Sequence, residues 1–121
     1  FRRGYEYKLT DAVCKLIESR TPYKIVSNRE RADTVLGGKL SIGVGVLAGD
    51  PYTGRALEKE SMVSVRVNWK DLKTGEMLVD NEQVYASSSF SPPMGQTVDY
   101  SIDRSVNEVA QKVVEQMQIA W

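Results

Sequence analysis

From Met62 to Lys70 the chain alternates strictly, with Val63, Val65, Val67 and Trp69 on one side and Ser64, Arg66, Asn68 and Lys70 on the other. Successive side chains of an extended strand point to opposite faces, so a period of two predicts a strand with one dry face and one wet face. A second strand, expected from Asp33 to Leu47, repeats the pattern: Leu40, Ile42, Val44 and Val46 alternate with Lys39, Ser41, Gly43 and Gly45. Such strands cannot stand alone. Their apolar faces need a cover, and the opposite faces are left for water or for something polar.

The cover is expected from the two ends of the chain. Tyr5, Leu9, Ala12, Val13, Leu16 and Ile17 recur at helical spacing, which predicts a helix from Gly4 to Arg20; Pro22 ends it. Near the other terminus Ile102, Val106, Val109, Ala110, Val113 and Met117 predict a second amphipathic helix, starting between Asp99 and Ser101, with Trp121 folding back as an anchor. Between the first helix and the long strands, Tyr23 to Ser27 reads as a short strand and Asn28 to Arg31 as a polar turn. Asp71 to Glu76 reads as a hairpin turn, with Gly75 supplying a positive φ. A third long strand is expected from Met77 to Ser89. Its apolar residues change parity between Val79 and Val84, which a β-bulge near Asp80 and Asn81 reconciles. Ser87 to Ser89 and Ser91 to Gly95 read as a loop. The expected fold is therefore α+β: a mostly antiparallel sheet of three to four strands, with two helices packed on one face, in a single domain over residues 1–121. Leu40, Ile42, Val44, Val46, Val63, Val65, Val67 and Trp69 should all be buried beneath the helices.

Gly43-Val44-Gly45-Val46-Leu47-Ala48 fits the G-x-G-x-x-A pattern of a dinucleotide-binding turn. That turn needs a helix to begin within the motif, because the helix N-terminus holds the pyrophosphate. Here the motif runs into Gly49-Asp50-Pro51-Tyr52-Thr53-Gly54, a cluster of turn formers. Gly37-Gly38-Lys39 is no phosphate loop either, since Asp33 stands where that motif needs its first glycine and Leu40 where it needs Ser or Thr. The glycines belong to the wet face of a strand, where they mark a bend or the close approach of another chain. Ser41, Gly43, Gly45, Ser64 and Arg66 are accordingly the candidate protein-interaction surface.

The chemistry of catalysis is sparse. The chain contains no histidine and a single cysteine, Cys14, so triads and His- or multi-Cys metal sites have no residues to build them. Cys14 reads as a small packing residue on the flank of the first helix. Glu58 and Glu60 share a strand face but sit beside Lys59 with no apolar pocket to tune either carboxyl. Asp99 and Asp103 sit where a helix dipole favours acids. The serine run has no neighbouring base, and no strand carries the aromatic and basic interleaving used for RNA. No enzyme activity, cofactor, metal or nucleic acid is expected. Net charge is zero, but nine basic residues oppose five acidic ones through residue 40, so the first third carries an excess of four positive charges that suits an anionic partner. No run of eighteen apolar residues is present to span a bilayer as a helix.

Four stretches in order resemble the LptE-like lipopolysaccharide-assembly lipoproteins of the outer membrane. They are Gly4-Tyr5-Glu6-Tyr7-Lys8-Leu9-Thr10-Asp11-Ala12, Arg31-Ala32-Asp33-Thr34-Val35-Leu36-Gly37-Gly38, the hairpin from Val67 to Glu76, and the C-terminal helix. The resemblance covers nearly the whole chain. It implies a non-enzymatic plug or partner of an outer-membrane β-barrel translocon, which binds lipopolysaccharide and assists its transport to the cell surface. It also implies a lipid anchor in the outer membrane, on the periplasmic face. The family pattern places a further strand and a lipidated cysteine ahead of the first helix; neither is in this sequence, so the resemblance implies a piece of a longer protein. Under it, Arg55 and Lys59, in an expected loop from Ala48 to Lys59, are the candidate contacts for lipopolysaccharide phosphates. The alternative is a generic periplasmic interaction lipoprotein of another envelope assembly machine.

Overall fold

The computed structural model describes residues 3–119. It is an α+β fold with two helices and a three-stranded antiparallel sheet. Helix α1 spans Arg3–Arg20, strand β1 Thr34–Gly49, strand β2 Ala56–Asp71, strand β3 Met77–Phe90 and helix α2 Val98–Ile119, with short 3-10 turns at Arg29–Arg31 and Pro92–Met94. The strand order is β1-β2-β3. Trp121 lies outside the described residues.

The alternation sets the sheet's two faces. Leu40 pairs with Val65 and Val65 with Val84; Leu36 pairs with Trp69 and Trp69 with Val79. Directly paired residues share a face, and on this face Val63, Val65, Val67, Trp69, Val79, Val84, Ala86 and Phe90 are buried. Helix α2 lies over β3 and β2 and buries Ile102, Val106, Val109, Ala110, Val113, Val114 and Met117 against them. Ser61, Ser101 and Ser105 are also fully buried at this seam. Their small side chains let helix and sheet approach closely, with Ser101 Oγ 2.8 Å from Ser61 Oγ.

Helix α1 packs on α2 rather than on β1. The helices run side by side in the same direction: the Tyr5 hydroxyl donates to Asp99 Oδ1, and one turn on Lys8 Nζ donates to Asp103 Oδ1 at 2.9 Å. Burial, the Asp99 hydrogen bond and the nearby carboxylates push the Tyr5 phenol up to about 12. The two aspartates thus fasten one helix to the other as well as facing a helix start.

This arrangement corrects the expected core. Leu40 and Ile42 are only half-buried, and Val44 and Val46 are exposed, at 52% and 62%. Their parity is as expected, since Val44 pairs with the fully buried Ser61. What is missing is cover: α2 lies over β2 and β3, and α1 packs on α2 rather than on β1. The expected strand from Tyr23 to Ser27 is also absent. Alternation alone cannot make a strand without a ladder partner. The segment instead closes α1, with Thr21 Oγ1 bonded to Ile17 O and accepting from the Tyr23 N–H. It also sets the Tyr23 ring edge-on to Trp69 at 5.4 Å between centroids. Ser87 to Ser89 lie inside β3 rather than in a loop.

The bulge falls where the parity slip placed it. Register shifts between Val67 and Trp69, Asn81 takes φ 53, and its N–H donates to Asn68 Oδ1 at 2.9 Å. The β2–β3 turn is held by Asp71, whose N–H donates to Glu76 O and whose carbonyl accepts from Gly75 at φ 76.

Candidate functional site

The face opposite the helices is an uncovered sheet surface, and the register assembles it residue by residue. Lys39 pairs with Arg66, Ser41 with Ser64, Gly43 with Met62 and Gly45 with Glu60. All five residues of the candidate interaction surface therefore lie together on one face. Ser41, Gly43, Gly45 and Arg66 are exposed and Ser64 is half-buried. Gly43 and Gly45 have no positive φ, so the backbone there does not demand glycine. A Cβ built on either would meet nothing within 4 Å. The fold of the described residues thus gives no reason for a missing side chain at either position.

Two residues of this surface escape a reading by polarity. Met62 stands beside Gly43, half exposed, and Tyr85 pairs with Ser64, 60% exposed. They put an apolar group on the central strand and an aromatic group on the β3 edge of a face rich in serine, glycine and charge. The signal was their parity: each lies one step out of phase with the buried Val63 and Val84.

Arg55 and Lys59 are not brought together. The loop between β1 and β2 is shorter than expected. It runs from Asp50 to Arg55 and closes through the Asp50 N–H on Arg55 O and the Gly54 N–H on Asp50 O. Hydrogen bonds from the loop's N–H groups hold the Asp50 carboxyl below its ordinary value. Arg55 is exposed at the end of that turn. Lys59 lies within β2, half-buried, paired with Val46 and Phe90 on the helix side of the sheet. Four steps along the extended chain separate their backbones by about 13 Å, so they form no single anion pocket. Lys73 is at the opposite end of the sheet, bonded to Asp33 at 3.1 Å.

Elsewhere the candidate chemistry stays dispersed. Cys14 is half-buried on α1, and burial, followed by Glu18 and Asp11, pushes its thiol up, away from the reactive thiolate. Among the described residues no group of three His, Cys, Asp or Glu is placed to hold a metal ion, and no helix is long and apolar enough to cross a membrane. A groove of about 1080 Å³ lies between α1, the segment after it, and the half-covered side of β1.

No family model matches the sequence, and no curated protein matches it. Solved structures do match in fold. The solution structure of uncharacterized lipoprotein B from Nitrosomonas europaea superposes with a TM-score of 0.58 at 15% identity, over 93% of this chain and 72% of that one. A crystal structure of a protein assigned as a lipoprotein from Caulobacter crescentus CB15 superposes with a TM-score of 0.52 at 20% identity, over 96% of this chain and 80% of that one. At these identities the likeness is one of fold.

Proposed function

We propose that this chain is the folded domain of an envelope lipoprotein that works by contact rather than catalysis. Its partner is the lipopolysaccharide translocon barrel of the outer membrane, and it serves there as a plug or partner on the periplasmic face. The observation that carries this reading is the uncovered sheet face with Gly43 and Gly45 on its edge strand β1. Two neighbouring strand glycines cost stability relative to larger residues, and nothing in the described fold needs them. They suit a surface on which another backbone lies close. The shared fold with two lipoproteins and the resemblance to the LptE-like proteins support the same reading. A photo-reactive residue at Ser41 should cross-link to the barrel in whole cells, while one at the exposed Glu108 of α2 should not. Cross-linking from Glu108 alone would place the barrel on the helix side and refute it.

Within this reading, Arg55 and Lys59 are separate phosphate contacts for lipopolysaccharide rather than one clamp. The Arg55→Ala/Lys59→Ala pair is expected to weaken binding of purified lipopolysaccharide several-fold at low salt, with the difference shrinking as salt rises. Unchanged affinity across the titration would remove both from the site.

A further inference from the structure

The β1–β2 hairpin outruns the layer of helices. Ser101, in the first turn of α2, rests on Ser61. Past that rung β2 continues to Ala56, about 16 Å of strand, and the turn from Asp50 to Arg55 closes the end. This end is apolar. Val46 and Leu47 on β1 and Leu57 on β2 are exposed, and Tyr52 in the turn is 96% exposed. The 3-10 turn after β3 is tied to the same end by Ser91 Oγ, which donates to Leu57 O at 3.0 Å, and it adds the exposed Met94. A strand added beside β1, from whatever source, would lie in the plane of the sheet and leave this turn bare.

Two features point to what meets it. The first is the hydrogen bonding of the turn. The Asp50 N–H donates to Arg55 O and the Gly54 N–H to Asp50 O, both at 2.8 Å. The Tyr52 N–H donates to Asp50 Oδ1 at 2.8 Å, the Thr53 N–H donates to the same carboxyl, and the Arg55 N–H donates to Thr53 Oγ1 at 3.3 Å. Pro51 has no N–H. Every N–H of the turn is therefore satisfied from within, and the one acid in the turn is engaged in satisfying them. Such a turn can leave water without stranding its donors.

The second is the placement of charge. Lys59 faces the helix side with its register partner Val46, while Glu58 and Glu60, paired with Ala48 and Gly45, face the other side. Arg55 is exposed where the turn ends. Cations thus accompany the apolar side chains, and the strand's acids turn away from them. Apolar residues beside cations, with a tyrosine at the tip, suit the boundary between the headgroups and acyl chains of an anionic bilayer. We infer that the end of the β1–β2 hairpin dips into the headgroup layer of a phospholipid bilayer, with Tyr52 leading and Arg55 and Lys59 on lipid phosphates. The barrel contact proposed above uses the opposite face of the sheet, and the bilayer contact does not rest on it.

The test mixes the purified chain with vesicles of phosphatidylcholine and phosphatidylglycerol in equal parts, free of lipopolysaccharide. An environment-sensitive fluorophore is attached through Tyr52→Cys, or through Thr74→Cys in the β2–β3 turn at the other end of the sheet, each with Cys14→Ala to leave one thiol. Emission from position 52 should shift to shorter wavelength on adding vesicles, and emission from position 74 should not. Leu47→Ser/Met94→Ser, two exposed side chains, should leave the melting curve unchanged and weaken co-sedimentation with the vesicles about tenfold. Vesicles of phosphatidylcholine alone should bind about tenfold more weakly at low salt. Four results would overturn the inference. They are no binding to the vesicles, a shift at position 74 as large as that at position 52, a shift at position 52 on concentrating the protein without lipid, which would make a second copy the occupant, and binding only once lipopolysaccharide is added. The last would leave lipopolysaccharide binding by Arg55 and Lys59 standing and remove the bilayer contact alone.

Discussion

Val65→Asp is expected to abolish the folded state. Val65 is 4% exposed, in register between Leu40 and Val84, and belongs to the core cluster to which both helices contribute. The substitution removes an apolar group worth roughly 1.5–3 kcal/mol of burial. It also leaves a carboxylate with no partner in a dry core, at a further cost of several kcal/mol. Together these approach the whole stability of a domain this size, about 5–15 kcal/mol. Far-UV circular dichroism at 25 °C should show an unfolded or nearly unfolded chain. Val46→Asp is the matched control. It lies on the same face by parity but is 62% exposed, so its stability should change by no more than a surface substitution does, about 0.5 kcal/mol. Equal damage from the two would mean that β1 is covered after all.

Trp69→Ala is expected to have the next largest effect. The ring is 1% exposed, packs edge-on against Tyr23, and is the largest of the fully buried side chains. Its removal should cost about 3–5 kcal/mol, or about 10–20 °C in melting temperature for a chain of this length. It should also loosen the segment after α1, because Tyr23 docks there on Trp69. Faster amide exchange at Tyr23 to Val26 beyond the global change would confirm that link. Exchange that tracks only the global loss would show the segment to be held by other contacts.

The contrast between Val65 and Val46 shows how far residue patterns carried the fold. Alternation reports which face a side chain takes, and every assigned parity in β1 and β2 holds. It does not report whether anything lies over that face. That depends on where the helices land, and α1 rests on α2 through Tyr5–Asp99 and Lys8–Asp103, contacts more than ninety residues apart in sequence. The bulge was legible because a strand cannot change the parity of its buried residues without an extra residue. The segment from Tyr23 to Ser27 misled for the converse reason: it has the residues of a strand, but among the described residues no strand forms a ladder with it.

The candidate surface was legible in the same uneven way. Ser41, Gly43, Gly45, Ser64 and Arg66 follow from parity alone, and antiparallel pairing brings them together. Met62 and Tyr85 belong beside them, but an apolar residue at a strand start and an aromatic near a parity slip both resemble core. Lys59 was placed in the loop because the turn formers from Gly49 to Gly54 do not fix where the strand begins ahead of Glu58-Lys59-Glu60. In the structure it is a strand segment whose inward residue lies near the sheet's uncovered corner, where a lysine is tolerated.

The central proposal is that the glycine-bearing face meets the barrel, and a double substitution tests it most directly. Gly43→Leu/Gly45→Leu adds side chains into open space, at positions with no positive φ, where strand propensity favours the change by up to about 1 kcal/mol at each site. The isolated domain should therefore melt at or above the wild-type temperature. The same protein, expressed in the source cell, should no longer co-purify with the lipopolysaccharide translocon barrel. A variant that folds as well as wild type and still co-purifies in full would contradict the proposal.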